Sequence, residues 1–133
     1  MNIYKQGTDK ISGSFINFSN HPSNNWSDDQ LDAVHTLTKG AIVDVPFPQV
    51  RTSANEIDIS LLALECLTKI CSLHPTVVMC QGEFGLTFAV VRALKEMGIR
   101  VVYSCSERRT SEKVTGSGSV KTSEFVFVRF RDY

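Results

Sequence analysis

The stretch Val77–Phe88, VVMCQGEFGLTF, passes from a dense apolar run into a glycine-bearing polar turn and then into a helix-like pattern. Thr76–Cys80 (TVVMC) is apolar at nearly every position, as expected for a central parallel strand covered on both faces; a strand with one wet face would alternate. From Leu86 to Met97 apolar residues return at helical spacing, and Gly98 supplies the stop. A buried strand leading straight into a helix is one step of a β-α-β alternation.

The flanks repeat that step. Upstream, Ser14–Ser19 (SFINFS) alternates apolar and polar residues as a short strand, and SNHPSNNW breaks it with Pro22 and three asparagines. Ser27 is placed to cap a helix, with Asp28 and Asp29 in the positive first turn and Gln30 at the capping-box position. That helix turns Leu31, Val34 and Leu37 or Thr38 inward and stops at Lys39-Gly40. Ala41–Val45 (AIVDV) is a second strand, closed by Pro46 and Pro48. Ile57–Leu73 repeats apolar residues every three or four positions, a long amphipathic helix ending before His74-Pro75. Downstream, Ile99–Cys105 (IRVVYSC) is a fourth strand. After it, ERRTSEKV, GSGS and VKTSEFVFVRFRDY form two strand-like runs around a glycine-serine turn, the pattern of a hairpin.

The order β-α-β-α-β-α-β plus a hairpin demands a mainly parallel sheet with helices on both faces and right-handed connections. The expectation is an α/β, doubly wound, Rossmann-like domain over residues 14–133, preceded by a loose arm over residues 1–13. The first strand should lie beside the third, the second on the first strand's other side and the fourth beyond the third. Ligands then bind beyond the carboxyl ends of strands one and three, where the order reverses.

Composition narrows the function classes. The chain of 133 residues is long enough for one real core, burying roughly two thirds of its unfolded surface. Fourteen basic residues balance fourteen acidic ones, which disfavours nonspecific binding to long nucleic acid. The opening MNIYKQGTDKISGS has no apolar leader run, and no stretch nears the ~18 apolar residues of a spanning helix, so the expected place is the cytosol, away from membranes. Cys66, Cys71, Cys80 and Cys105 form no C-x-x-C pair and read as reduced core residues. Cys80 and Cys105 end neighbouring strands near His21, which would permit a thiol–imidazole pair, but core packing explains them more simply. Asp44 has no acidic partner for two-metal chemistry, and no cluster has metal-ligand spacing, so neither a metal nor a cofactor is expected.

Three sequence breaks fall at the carboxyl edge of the sheet. In Ser19–Trp26, Asn20, His21, Ser23, Asn24 and Asn25 offer amide, imidazole and hydroxyl groups; alternatively they only build a turn before the Ser27 cap. In Gln81–Gly85, Gly82 would let a ligand approach the backbone, and Gly85 opens a helix whose free N–H groups favour an anion. Glu83 opposes a simple phosphate site. It would accept from a ribose hydroxyl or base amine, orient an arginine such as Arg108, or serve only as a helix-end carboxylate. The motif is not G-x-G-x-x-G and lacks a P-loop lysine, so neither a nicotinamide cofactor nor ATP hydrolysis is indicated. In the third break, Arg108 and Arg109 follow Ser106 directly, as phosphate-matching forks or as a solvated pair.

Phe18-Ser19-Asn20-His21, Gln81-Gly82-Glu83-Phe84-Gly85 leading into Thr87, Ser106-Glu107-Arg108-Arg109 and the closing Phe127-Val128-Arg129-Phe130-Arg131-Asp132-Tyr133 together resemble the small stand-alone CRISPR-associated proteins of type III systems. Those carry a Rossmann-like domain related to the CARF sensors. The resemblance implies a CARF-like homodimer that binds cyclic oligoadenylate, typically cyclic tetra-adenylate, and acts as a ring nuclease or only sequesters the ligand. It implies a metal-independent in-line attack by a ribose 2′-hydroxyl that switches off antiviral signalling. On that basis His21, Arg108 and Glu83 are the expected catalytic residues. Ser19, Asn20, Ser23, Gln81, Gly82, Phe84, Gly85, Ser106 and Arg109 are the expected ligand contacts.

Overall fold

The computed structural model describes residues 13–133, so the arm expected over residues 1–13 lies, except for Gly13, outside the described residues. In chain order the elements are β1 (Ser14–Ser19), a 3-10 turn (Ser23–Asn25), α1 (Asp28–Leu37), β2 (Ile42–Pro46), α2 (Glu56–Cys71), β3 (Pro75–Cys80), α3 (Phe84–Glu96), β4 (Arg100–Thr115) and β5 (Gly118–Asp132). The sheet order is β2-β1-β3-β4-β5. Strands β2, β1, β3 and β4 pair in parallel, and β5 returns antiparallel to β4. This is the Rossmann-like α/β architecture read from the sequence, with the order reversing between β1 and β3.

Each face of the sheet has its own core. Phe15, Val77, Met79, Val102 and Phe130 meet Val34 of α1 on one side. Ile16, Phe18, Val78, Cys80 and Val101 meet Ala63, Cys66 and Ile70 of α2 and Leu86, Val90 and Leu94 of α3 on the other. Phe15 and Ile16 are both fully buried, as befits a strand covered on both faces and paired along both edges, with β2 and β3. Burying such a side chain contributes about 1.5–3 kcal/mol.

Helix starts follow side-chain caps. Ser27 Oγ accepts from Gln30 N at 3.3 Å. At α2, Asn55 and Asp58 form a reciprocal capping box at 2.9 and 3.0 Å, which starts the helix one residue before the expected Ile57. Between α2 and β3 the chain reverses through His74, whose φ is 52°. Among the described residues no helix is long and apolar enough to cross a membrane.

One expectation is corrected. The fourth strand does not end at Cys105; β4 continues through Ser106–Arg109 to Thr115, paired with β5 to the turn at Gly118. A bulge between Cys105 and Ser106 re-aims the pair. Beyond it the two strands run on as a ribbon whose residues 106–125 are all exposed. The segment expected as a loop is therefore the root of that ribbon, because every one of its residues has a cross-strand partner.

Candidate functional site

A cleft of about 880 Å³ opens beyond the carboxyl ends of β1 and β3, on the α1 face of the sheet. Its walls come from Asn20, His21, Pro22, Asn25 and Trp26 after β1, Ser27, Asp29 and Gln30 at the start of α1, Met79 and Gln81 of β3 and its end, Ser104 and Ser106 of β4, and Glu124–Phe127 of β5. It lies at the reversal in strand order, where open parallel sheets hold their ligands.

The loop after β1 is held by a polar network rooted in the core. Asn17, 1% exposed, points to the α1 face of β1. Its Nδ2 donates to His21 O at 2.8 Å and to Asp44 Oδ1 at 3.0 Å, and its Oδ1 accepts from Ser19 Oγ at 2.6 Å. Ser19 Oγ in turn accepts from His21 N at 3.2 Å. The Asp44 carboxylate also receives Ser23 N, 3.1 Å from Oδ2. Trp26 Nε1 donates to His21 O at 3.1 Å, closing the loop over the 3-10 turn. His21 is thus fixed through its backbone and lines the cleft.

The floor is aromatic. Trp26 meets Phe15 edge-on at 6.1 Å, and Phe127 packs on Phe130 at 4.9 Å. Above it, Gln81 Oε1 accepts from the backbone N of Ser104 and from Ser104 Oγ, the latter at 2.7 Å, which ties the end of β3 to β4. Rings beside amides and hydroxyls suit a flat heterocycle with polar edges, because the ring faces stack while amides satisfy donors and acceptors in one plane.

The residues singled out in the sequence divide into two groups. Asn20, His21, Gln81 and Ser106 line the cleft, and Ser19 supports it from beneath. Arg108 stands two positions past Ser106 on the same face of the ribbon, its guanidinium 5.5 Å from the centre of the Phe125 ring, at the rim. Ser23 contributes its backbone N–H to Asp44. The others lie outside the walls. Gly82 packs against Phe47: a Cβ there would come within 2.5 Å of the ring, so the glycine admits a side chain of this chain. Glu83 is the N-cap of α3, its Oε1 accepting from Leu86 N at 2.7 Å. Phe84 is 92% exposed on the first turn of α3, and Gly85 follows it. Arg109 is on the opposite ribbon face from Arg108 and pairs with Glu107 at 2.9 Å.

The lining is not cationic. Asp29 and Glu124 are its only Asp, Glu, Lys or Arg members, which disfavours a phosphate deep in the cleft and favours one toward Arg108. Cys80 is fully buried in the opposite core, and burial pushes its thiol up to about 12, which keeps it protonated at neutral pH and out of any thiol–imidazole pair. The Tyr133 hydroxyl donates to Cys80 O at 2.7 Å and is likewise raised to about 12 by burial. No group of three His, Cys, Asp or Glu side chains gathers around one point among the described residues.

A family model matches residues 13–131. The chain belongs to the uncharacterized protein MJ1673 family. The matched span includes every residue of the cleft, the Asn17–Asp44 network and the whole ribbon. No curated protein matches the chain.

Sequence reasoning missed Asn17 and Ser104 in the strands and Phe125 and Phe127 in the hairpin. Asn17 had one legible signal: an amide between Ile16 and Phe18 of an apolar strand must find buried partners. Gly82→Ala should cost about 1–3 kcal/mol, because the new methyl meets the Phe47 ring. Urea unfolding of the single variant and of a Gly82→Ala/Phe47→Leu pair checks this, since the pair should recover part of the loss.

Proposed function

We propose that the cleft binds a small cyclic oligoadenylate, cyclic tetra-adenylate foremost, in the cytoplasm, and that the bound ring is then cut. The observation that carries this is the cleft at the β1/β3 reversal, where amides, hydroxyls and an aromatic floor converge and one arginine stands at the rim. Adenine faces stack on Trp26 or Phe127, adenine edges meet Asn20, Asn25 and Gln81, and phosphates lie outward beside Arg108. Two copies related by a two-fold axis would offer matching clefts to a symmetric ring.

Ring opening forms a bond from a ribose 2′-oxygen to the adjacent phosphorus and breaks the bond from that phosphorus to the 5′-oxygen. The 2′-hydroxyl loses its proton, the departing 5′-oxygen gains one, and a 2′,3′-cyclic phosphate remains. In this reading His21 moves the proton and Arg108 offsets charge on the phosphorane. Switching off a type III CRISPR signal is the physiological role this chemistry would serve.

A second reading, binding without cleavage, is favoured by one observation. Glu83, which the sequence offered either to orient an arginine such as Arg108 or to serve as a helix-end carboxylate, takes the second role and caps α3. Incubation with cyclic tetra-adenylate followed by chromatography separates the two. Linear di-adenylate ending in a 2′,3′-cyclic phosphate supports cleavage, intact ligand after stoichiometric binding supports sequestration, and absence of binding refutes both. Arg108→Ala should weaken binding about tenfold by loss of one charge-assisted phosphate contact, read by calorimetric titration.

A further inference from the structure

Residues 106–125 of the ribbon are all exposed, and Phe125 is the one aromatic among them. It is 71% exposed and belongs to neither core among the described residues, yet it lines the cleft. One exposed ring is ordinary on a protein surface. What singles this one out is where the strand puts it. Phe130 faces the α1 core, and strict alternation along β5 would turn Phe127 and Phe125 to the opposite face. Cys105 pairs with Arg129 and Ser106 with Phe127, so Val128 is an extra residue with no partner of its own on β4. That one residue returns Phe127 and Phe125 to the α1 face, opposite Ser106 and Arg108, and both rings line the cleft.

The two rings stand two residues apart on one face of one strand, about 6.6 Å along it. Stacked bases repeat at about 3.4 Å, so the gap is one flat heterocycle wide. Phe127 is the fixed wall, half-buried with its ring centre 4.9 Å from that of Phe130. Phe125 is the free wall, with the Arg108 guanidinium 5.5 Å from its ring centre. Arg108 enters none of the ion pairs among the described residues, whereas Arg109 on the other face is held by Glu107. A guanidinium without a carboxylate partner, beside a stacked base, is placed for that nucleotide's phosphate.

We infer that Phe125 is a specificity-determining residue: it clamps a base against Phe127 and, with Arg108, reads one base-and-phosphate unit. The contact is blind to ring closure, so a linear nucleotide is held as a unit of a ring would be. The inference rests on the nucleotide reading of the cleft proposed above. It assigns to Phe125 the choice of a base-bearing ligand over a bare sugar phosphate.

The test is calorimetric titration with adenosine 5′-monophosphate, cyclic tetra-adenylate and ribose 5-phosphate. The fluorescence of Trp26, the chain's one tryptophan and a cleft residue, reports the same binding optically. Phe125→Leu keeps an apolar side chain but removes the ring, and should weaken both adenine ligands about tenfold or more. Phe125→Tyr should restore them. Ribose 5-phosphate should bind weakly and equally to all three proteins, and both variants should keep the wild-type circular dichroism and urea midpoint. Cyclic tetra-adenylate bound equally well by the wild type and Phe125→Leu would overturn the inference and leave the ligand reading standing, as would a Phe125→Tyr chain that behaves like Phe125→Leu. Adenosine monophosphate bound through Phe125 while cyclic tetra-adenylate is refused would overturn the ring as ligand and uphold the clamp. Binding of neither would overturn both.

Discussion

Asn17→Asp should destabilise the protein by about 3–5 kcal/mol, the scale of an uncompensated charge left in a buried network. The substitution exchanges the Nδ2 donor for an oxygen that faces His21 O at 2.8 Å and Asp44 Oδ1 at 3.0 Å, so two hydrogen bonds become repulsive contacts. Burial and the Asp44 carboxylate both raise the folded-state pKa of the introduced acid. The sign follows: its protonated form restores a donor, so the deficit is smallest in acid and grows as pH rises through that raised pKa. Urea unfolding at two pH values measures both. A loss under about 1 kcal/mol would mean the network does not hold the loop. Because the same network fixes the backbone on both sides of His21, affinity for the proposed ligand, cyclic tetra-adenylate, should fall with stability.

His21→Ala should slow the proposed ring cleavage by roughly 10²–10⁴ while changing affinity little, the pattern of a lost proton-transfer group. The separation is possible because His21 supports the loop only through its backbone N and O, which alanine retains. Single-turnover chromatography beside calorimetric binding reads the two quantities. Unchanged cleavage would remove His21 from the mechanism, and a parallel loss of binding would make it a ligand contact.

These experiments probe residues that differ in how legible they were. The architecture came through because its causes are local or periodic. TVVMC must be covered on both faces, Ile57–Leu73 repeats at helical spacing, and Ser27 with Gln30 makes a cap, so chain order alone implied the parallel sheet and its reversal. The cleft was half legible: polar residues after β1 and Gln81 stand in it because loops after parallel strands must gather at one edge, and Ser106 because β4 runs on past that edge. The same logic does not say to which face a loop turns. Gln81 stays on the cleft side, while Gly82 meets Phe47 and Glu83 caps α3, a division set by side-chain packing.

The ribbon carries the sharpest contrast. ERRTSEKV reads as a strand-like run of a hairpin, but Ser106–Arg109 at its start also reads as a break with a solvated arginine pair, since it has no apolar face to bury. Pairing with β5 selected the strand, and strand alternation then sent Arg108 to the cleft side and Arg109 to the other. What the residues determined unaided was therefore the order and kind of the elements, because hydrophobic periodicity and capping act over a few neighbouring positions. What only the tertiary structure decided was which polar groups share the cleft. That depends on hydrogen bonds between residues far apart in the chain, such as Asn17 with Asp44 and Gln81 with Ser104, whose partners no local pattern specifies.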